Sequence, residues 1–261
     1  MRRILSTIVC MLVISSVVLA QTKPPIAKKQ QITPKGGISC GSDPILPTDG
    51  SSIDDVVFNT GPNWYLVHLK AGHSYSVETW DSTDTVIAGS ATLALISTTN
   101  CVTPIPTTDV TAIDPDLSND FGARMSWIQA GDSDAYVQLA TSDPAGNTIT
   151  IRVTDTTLYN QRWSTFGGFQ TQYSFINNTE VSISGTLTIY LASGAVANTV
   201  PITIAPLTAS FYIFSTPVKN VGFATFAFVG PAGSITTDAY FINSTATVVV
   251  PTNFGPRNYQ H

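Results

Sequence analysis

The sequence predicts an all-β protein: two antiparallel β-sandwich domains, jelly-roll or immunoglobulin-like, that follow a cleaved signal peptide. Thr occurs 36 times, while Glu occurs twice against 15 Asp. Threonine with valine, isoleucine and aromatic residues favours pleated sheets, whereas long helices rely on Glu, Lys, Ala and Leu. Charged residues make up 11% of the 261 residues, so the chain also lacks the high charge that is typical of disordered segments.

The N-terminus has the pattern of an export signal. Two arginines precede an apolar stretch from Ile4 to Leu19, and the small residue Ala20 ends it. This pattern predicts a signal peptide over residues 1–20, with cleavage before Gln21. A retained N-terminal anchor is the alternative, although the stretch is short for a membrane span. We therefore expect a secreted protein (extracellular, periplasmic or at the cell surface) with no stable membrane insertion after cleavage.

Two cysteines, Cys40 and Cys101, remain after cleavage. Cysteines of exported proteins pair in most cases, because the compartments outside the cytoplasm are oxidising. The sequence therefore predicts a Cys40–Cys101 disulfide, and two unpaired buried thiols are the alternative.

Charge and composition divide the chain into segments. Residues 21–39 contain four lysines, several prolines and no acid, which is typical of a solvated linker. Residues 40–155 carry a net charge of −12, and residues 160–261 carry +1. This shift predicts a boundary near 155–162, between a first sandwich over 40–157 and a second over 160–261. The acidic half would repel phosphates and anionic lipids, so we expect no nucleic-acid partner.

Alternating apolar residues predict the strands. In the segment 64–69, Tyr65, Val67 and Leu69 share one face, and the segment 148–153 repeats the pattern with inward Ile149, Ile151 and Val153. The second half contains about seven such segments, the number typical of an antiparallel sandwich. They are 169–176, 181–191, 199–204, 209–214, 223–229, 234–242 and 245–250.

Three motifs of the first half suggest a family. They are the run Asn63–Gly72 followed by Tyr75–Val77, the run Gly131–Leu139, and the closing strand Ile149–Val153. With them, residues 45–155 resemble the bacterial pre-peptidase C-terminal domain family. The resemblance implies a small jelly-roll-like sandwich that is appended to secreted proteins and has no catalytic residues of its own. The second half is similar to generic bacterial extracellular sandwich modules.

Acidic clusters suggest a calcium site. Asp114, Asp116, Asn119 and Asp120 bring four oxygen ligands together within seven residues, and calcium binds six to eight hard oxygens that loops supply at flexible spacing. Shorter clusters occur at 54–55, 81–84 and 132–134. The alternative is that these residues form turns and keep the protein soluble. No other cofactor is expected.

Aromatic residues are candidate glycan platforms. Trp80 and Trp163 are the two that we single out, because sugars stack on exposed aromatic faces. Core packing or burial between domains is the alternative for each of them. For Trp127, which shares a strand face with Met125, core packing is the expectation.

The residue inventory argues against catalysis. His68, His73 and His261 are the candidate bases for a serine hydrolase, and no Gly-x-Ser-x-Gly motif accompanies them. We therefore expect a secreted non-enzymatic protein with a binding or structural role at the bacterial cell surface or outside the cell. Its partner would be an extracellular protein or a polysaccharide. A carbohydrate-binding accessory module is the alternative, and a hydrolase comes third.

Overall fold

A computed structural model describes residues 37, 40–41, 43–81, 91–109, 121–142, 147–243 and 248–256. These residues form seventeen strands and one short 3₁₀ turn at Phe166–Gly168. None of the helical structure within the described ranges is long and apolar enough to cross a membrane. The strands are β1 Asp49–Val57, β2 Asn63–Leu69, β3 Ser74–Asp81, β4 Ala91–Ser97, β5 Thr108–Asp109, β6 Phe121–Ile128, β7 Ser133–Thr141, β8 Asn147–Asp155, β9 Leu158–Ser164, β10 Gln170–Asn177, β11 Ile183–Leu191, β12 Val196–Ile204, β13 Ala209–Phe214, β14 Val221–Phe228, β15 Ile235–Asn243, β16 Val248–Thr252 and β17 Phe254–Pro256.

The strands form four antiparallel sheets, which confirms the predicted all-β sandwich class. In the N-terminal half, a five-stranded sheet has the order β1-β8-β3-β6-β5, and a three-stranded sheet has the order β2-β7-β4. In the C-terminal half, a four-stranded sheet has the order β13-β10-β15-β16, and a five-stranded sheet has the order β12-β11-β14-β9-β17. Each of these sheets takes its strands from one side of residue 157 only.

Each half has its own hydrophobic core. The first is built from the inward faces predicted from the alternation, including Tyr65, Val67 and Ile151, which are completely buried. Trp127 belongs to it, as its strand face predicts. The second is aromatic, with Trp163, Tyr173 and Phe226 all completely buried. The division into two independently folding domains stays a prediction.

The connection between the halves is short and buried. The segment between β8 and β9 consists of Thr156 and Thr157, whose exposed fractions are 4% and 1%. Thr156 donates its backbone N–H to the Ser74 carbonyl at 2.8 Å, and the Thr157 hydroxyl accepts the Ser74 N–H at 2.9 Å. The region predicted as a boundary is therefore tied to the start of β3 by hydrogen bonds.

The structure contains a strand that the alternation does not predict. Strand β1 covers residues 49–57, where adjacent aspartates suggest an acidic loop. Asp55 occupies an inward position between Ile53 and Val57, and it is 5% exposed. The Asn63 amide, at the start of β2, donates a hydrogen bond to the Asp55 carboxylate at 2.6 Å. Because this partner satisfies the buried carboxylate, the segment can form a strand with Asp55 facing inward.

The predicted disulfide is present and joins a covering segment to the first sandwich. Cys40 and Cys101 are bonded, with their Cα atoms 6.1 Å apart, inside the range that disulfides allow. On either side of Cys40 in the sequence, Gly37 bridges to Trp64 and Ile45 bridges to Leu66 along the free edge of β2. The disulfide thus fastens this covering segment to the loop that follows β4.

Candidate binding site

The predicted calcium ligands cannot be placed. Asp114, Asp116, Asn119 and Asp120 lie outside the described residues. Within the described ranges, no group of three or more His, Cys, Asp or Glu side chains could hold a metal ion. The calcium site stays a prediction.

The acidic side chains of the shorter clusters that are described take part in fold-stabilising hydrogen bonds. Asp54 accepts from the Thr150 hydroxyl at 2.6 Å, and Asp132 accepts from the Ala71 backbone at 2.7 Å. Asp134 lies 2.6 Å from the His68 ring at the surface. Each of these carboxylates therefore has a structural partner that accounts for its position.

Trp80 lies beside a row of charges on the outer face of the first five-stranded sheet. The register aligns Ser52, Arg152, Glu78 and Arg124 across four neighbouring strands. Arg152 pairs with Glu78, and its guanidinium carbon lies 5.2 Å from the centre of the Trp80 ring. A cation–π contact thus occupies a face that a sugar ring would need.

Trp163 lies in the second core, not at the surface. It is completely buried, and its Nε1 donates to the Tyr190 carbonyl at 2.7 Å. Its ring meets Phe214 edge-on, with the centroids 4.9 Å apart. Gly222 allows this close approach, because a Cβ there would lie 2.7 Å from Trp163 Nε1. The buried ring offers no open stacking face of the kind that a glycan platform requires.

A cleft opens above Trp163 at one end of the second sandwich. Its volume is about 300 Å³, which is the lower end of the range for ligand sites. One wall comes from the β11–β12 hairpin, and the other comes from the end of β13 and the turn after it. The apolar lining residues besides Trp163 are Leu191, Ala197, Phe214 and Pro217, and the polar ones are Asn198, Ser215, Thr216 and Asn220.

The rim of the cleft is neutral and partly preorganised. Asn198 donates to the Tyr212 hydroxyl at 2.8 Å and accepts the Thr199 N–H at 2.9 Å, which fixes its side chain. Thr216 accepts the Val218 N–H at 3.3 Å, while Ser215 is exposed at the rim. Among the described residues that line the cleft, none has a charged side chain. This arrangement suits an uncharged ligand that has one apolar face and hydroxyl groups around it.

The described histidines do not form a hydrolase site with a serine. His73 Nδ1 lies 2.7 Å from Asp155 at the junction of the halves, and the hydroxyl beside its ring is the Tyr159 phenol, at 3.2 Å from Nδ1. His68 is an exposed partner of Asp134. His68 thus makes a cross-strand contact, and His73 makes a contact at the junction of the halves. His261 lies outside the described ranges.

The sequence singles out Trp163 as a candidate glycan platform, and it does not predict the cleft above the buried ring. One wall comes from the β11–β12 hairpin and the other from the end of β13, so the two are distant in sequence. Neither segment carries a recognisable motif. The small polar residues of the turn at 215–220 are the available signal, since such residues are typical of turns that present side chains at the end of a sandwich.

No protein-family model matches the chain, and no curated protein is similar to it at a significant level. The chain is similar to the solved β-glucuronidase 2 of Bacteroides uniformis bound covalently to cyclophellitol-6-carboxylate aziridine, at 10% identity and a TM-score of 0.19, over 74% of this chain and 26% of that enzyme. A calcium-binding mutant of the same enzyme gives 12% identity and a TM-score of 0.17, over the same shares. The matched part is thus about a quarter of the enzyme's length, and scores this low carry no argument. The resemblance to the pre-peptidase C-terminal family stays an expectation.

Proposed function

We propose that this protein works outside the cytoplasm as a non-enzymatic binding or structural module, and that the cleft above Trp163 is its ligand site. The observation that supports the binding role is the cleft itself, with an apolar floor and a neutral polar rim on a rigid sandwich. The disulfide supports an oxidising compartment. An extracellular protein or a polysaccharide is the proposed partner.

The proposed export has a direct test. Mass spectrometry of the protein recovered from a bacterial culture should give a chain that begins at Gln21, from the medium, the periplasm or the cell surface. A full-length chain recovered from the cytoplasm would contradict the proposal.

Carbohydrate binding is the second candidate function, and the chemistry of the cleft favours it. The side chains of Asn198, Ser215 and Thr216 offer amide and hydroxyl groups to the hydroxyls of a neutral sugar, and the exposed Ala197 and Pro217 offer apolar surface to its ring. The buried Trp163 stiffens the floor and is not itself a stacking platform. The sugar would therefore enter the cleft at a chain end or branch and not lie along a flat surface.

Affinity electrophoresis in gels that contain neutral polysaccharides tests this candidate. Ala197→Trp should fill the cleft from its exposed wall and abolish retardation. Thr199→Trp is the matched control, because Thr199 is exposed on the same strand, two residues from Ala197, and does not line the cleft. Equal retardation of the two variants would place the sugar elsewhere, and no retardation of the native protein would leave a protein partner as the proposed ligand. Release of reducing sugars by the native protein would contradict the non-enzymatic proposal.

A further inference from the structure

Most sheet edges of the protein carry a feature that blocks further strand pairing. The four described sheets have eight edge strands, and exposed edges are usually blunted by proline, charge, shortness or a covering segment. Seven of the eight follow this rule. Three edge strands contain a proline: β12 has Pro201, β16 has Pro251 and β17 has Pro256. Strand β1 contains three aspartates, and β5 has only two residues. Gly37 and residues 44–46 cover β2, and residues 103–105 cover β4.

Strand β13 is the eighth edge, and within the described part of the chain it has none of these features. Residues 209–214 contain no proline and no charge. The outward side chains of Phe211 and Ile213 are 63% and 49% exposed. Leu207, two residues before the strand, and Val218, four residues after it, are also 67% and 65% exposed.

We propose that β13 pairs antiparallel with β13 of a second copy of this chain. The four-stranded sheet is antiparallel throughout, so a second copy related by a two-fold axis continues its hydrogen-bonding pattern. The same strand meets itself, as two-fold interfaces require. Phe211 and Ile213 of one copy then pack against the same residues of the other, and two four-stranded sheets become one sheet of eight strands.

The charge distribution favours a second copy at this edge. Residues 40–155 carry −12, so two copies repel each other wherever their first halves approach. Residues 160–261 carry +1, and the strands of the sheet that ends at β13 contain a single charged residue, Asp238. Pairing through β13 therefore brings together the neutral parts of the two copies.

The size of the edge predicts a weak dimer. Stable interfaces bury about 1,200–2,000 Å² in total. β13 offers only six residues for pairing, so this interface belongs with the small and weak ones. We expect a dissociation constant of about 10–100 μM. This self-association does not depend on a ligand in the cleft, and it goes beyond the binding function proposed above.

Sedimentation velocity over about 1–300 μM protein, a range that brackets the expected dissociation constant, tests the proposal. The native protein should change from monomer to dimer over this range. Ile213→Lys places two like charges at the interface and should weaken dimerisation at least about tenfold. Val102→Lys is the matched control, because Val102 is 74% exposed in the first half, and it should dimerise like the native protein.

Two further measurements keep the test decisive. Circular dichroism and the melting temperature at 1 μM should match between Ile213→Lys and native protein, because the side chain points outward. Amide hydrogen exchange of residues 207–218 should slow at high native concentration, without similar slowing in β12. A native protein that stays monomeric throughout overturns the proposal, and so does a dimer that Ile213→Lys leaves intact or whose exchange protection falls on a different strand.

Discussion

The phenol of Tyr65 donates a 2.7 Å hydrogen bond to the carboxylate of Asp55 inside the first hydrophobic core. The Asn63 amide binds the same carboxylate oxygen at 2.6 Å, and the Val56 N–H binds the other oxygen at 2.8 Å. A carboxylate that is 5% exposed is thus held by three donors, as a buried charge requires. The second core contains a contrasting tyrosine, because the buried hydroxyl of Tyr173 has no hydrogen-bond partner among the described residues.

This contrast predicts opposite effects of the same substitution. Tyr65→Phe removes a charge-assisted hydrogen bond and should lower the free energy of unfolding by about 1–3 kcal/mol. Tyr173→Phe removes a hydroxyl that is buried without a partner, and it should leave stability unchanged or raise it by up to about 1 kcal/mol. Urea unfolding of the two variants measures both values. Equal losses would show that the two hydroxyls have similar partners.

Both tyrosines predict a loss of stability in alkali. Burial raises the pKa of Tyr65, helped by the Asp55 carboxylate, and burial together with Tyr212 raises the pKa of Tyr173. In the unfolded chain tyrosine ionises near pH 10. Above that pH the native state holds protons that the unfolded state has lost, so the free energy of unfolding falls as pH rises, by up to about 1.4 kcal/mol per pH unit for each tyrosine.

Urea midpoints between pH 8 and pH 11 test this dependence. The native protein should be constant up to the unfolded pKa near 10 and then lose stability. The double variant Tyr65→Phe, Tyr173→Phe should show a shallower decline. An identical slope in the double variant would assign the effect to other groups.

The disulfide predicts a large entropic contribution to stability. Cys40 and Cys101 close a loop with a sequence separation of 61, for which chain entropy gives about 4 kcal/mol. The double variant Cys40→Ser, Cys101→Ser should therefore melt at a clearly lower temperature than the native protein. Reductant should lower the melting temperature of the native protein and leave that of the variant unchanged. Free thiols detected in the denatured, unreduced mature chain would contradict the bond.

The calcium prediction depends on the acidic segment at 114–120, which lies outside the described residues. Its carboxylates are close in sequence, and a divalent cation would relieve their mutual repulsion. We expect weak binding, with a dissociation constant of about 10⁻⁴–10⁻³ M, and a melting temperature that is higher in excess calcium than in chelator. Asp116→Ala should lose this difference, whereas Asp238→Ala, in the second half, should keep it. Equal melting temperatures of the native protein in both buffers would contradict the calcium site and leave the acidic side chains with a solubilising role.

Strict alternation was the reliable signal in the sequence. Tyr65, Val67 and Leu69 face one core because every second residue of the strand points the same way. The strand at 49–57 was missed because its aspartates are typical of loops, and the partners that allow Asp55 to be buried lie eight and ten residues further along the chain. The cleft was missed for a similar reason, since its walls come from the β11–β12 hairpin and from the end of β13, which are distant in sequence and are brought together by the fold.

The junction between the halves predicts the order of proteolytic cleavage. The charge boundary near 155–162 suggests an exposed linker, yet Thr156, Thr157 and Asn160 are buried, and the first two are hydrogen-bonded to Ser74. Proteases need an accessible extended segment, so the lysines of the linker at 21–39 should be cut first and leave a stable core that extends beyond the junction. Brief trypsin digestion with mass spectrometry of the fragments measures this order.

Thr157→Val removes the hydroxyl that accepts the Ser74 N–H, and it should speed cleavage at Arg162. The control Thr199→Val, on an exposed strand, should not. Early cleavage of the native protein at Arg162 would show that the junction opens in solution and that the two halves are joined loosely.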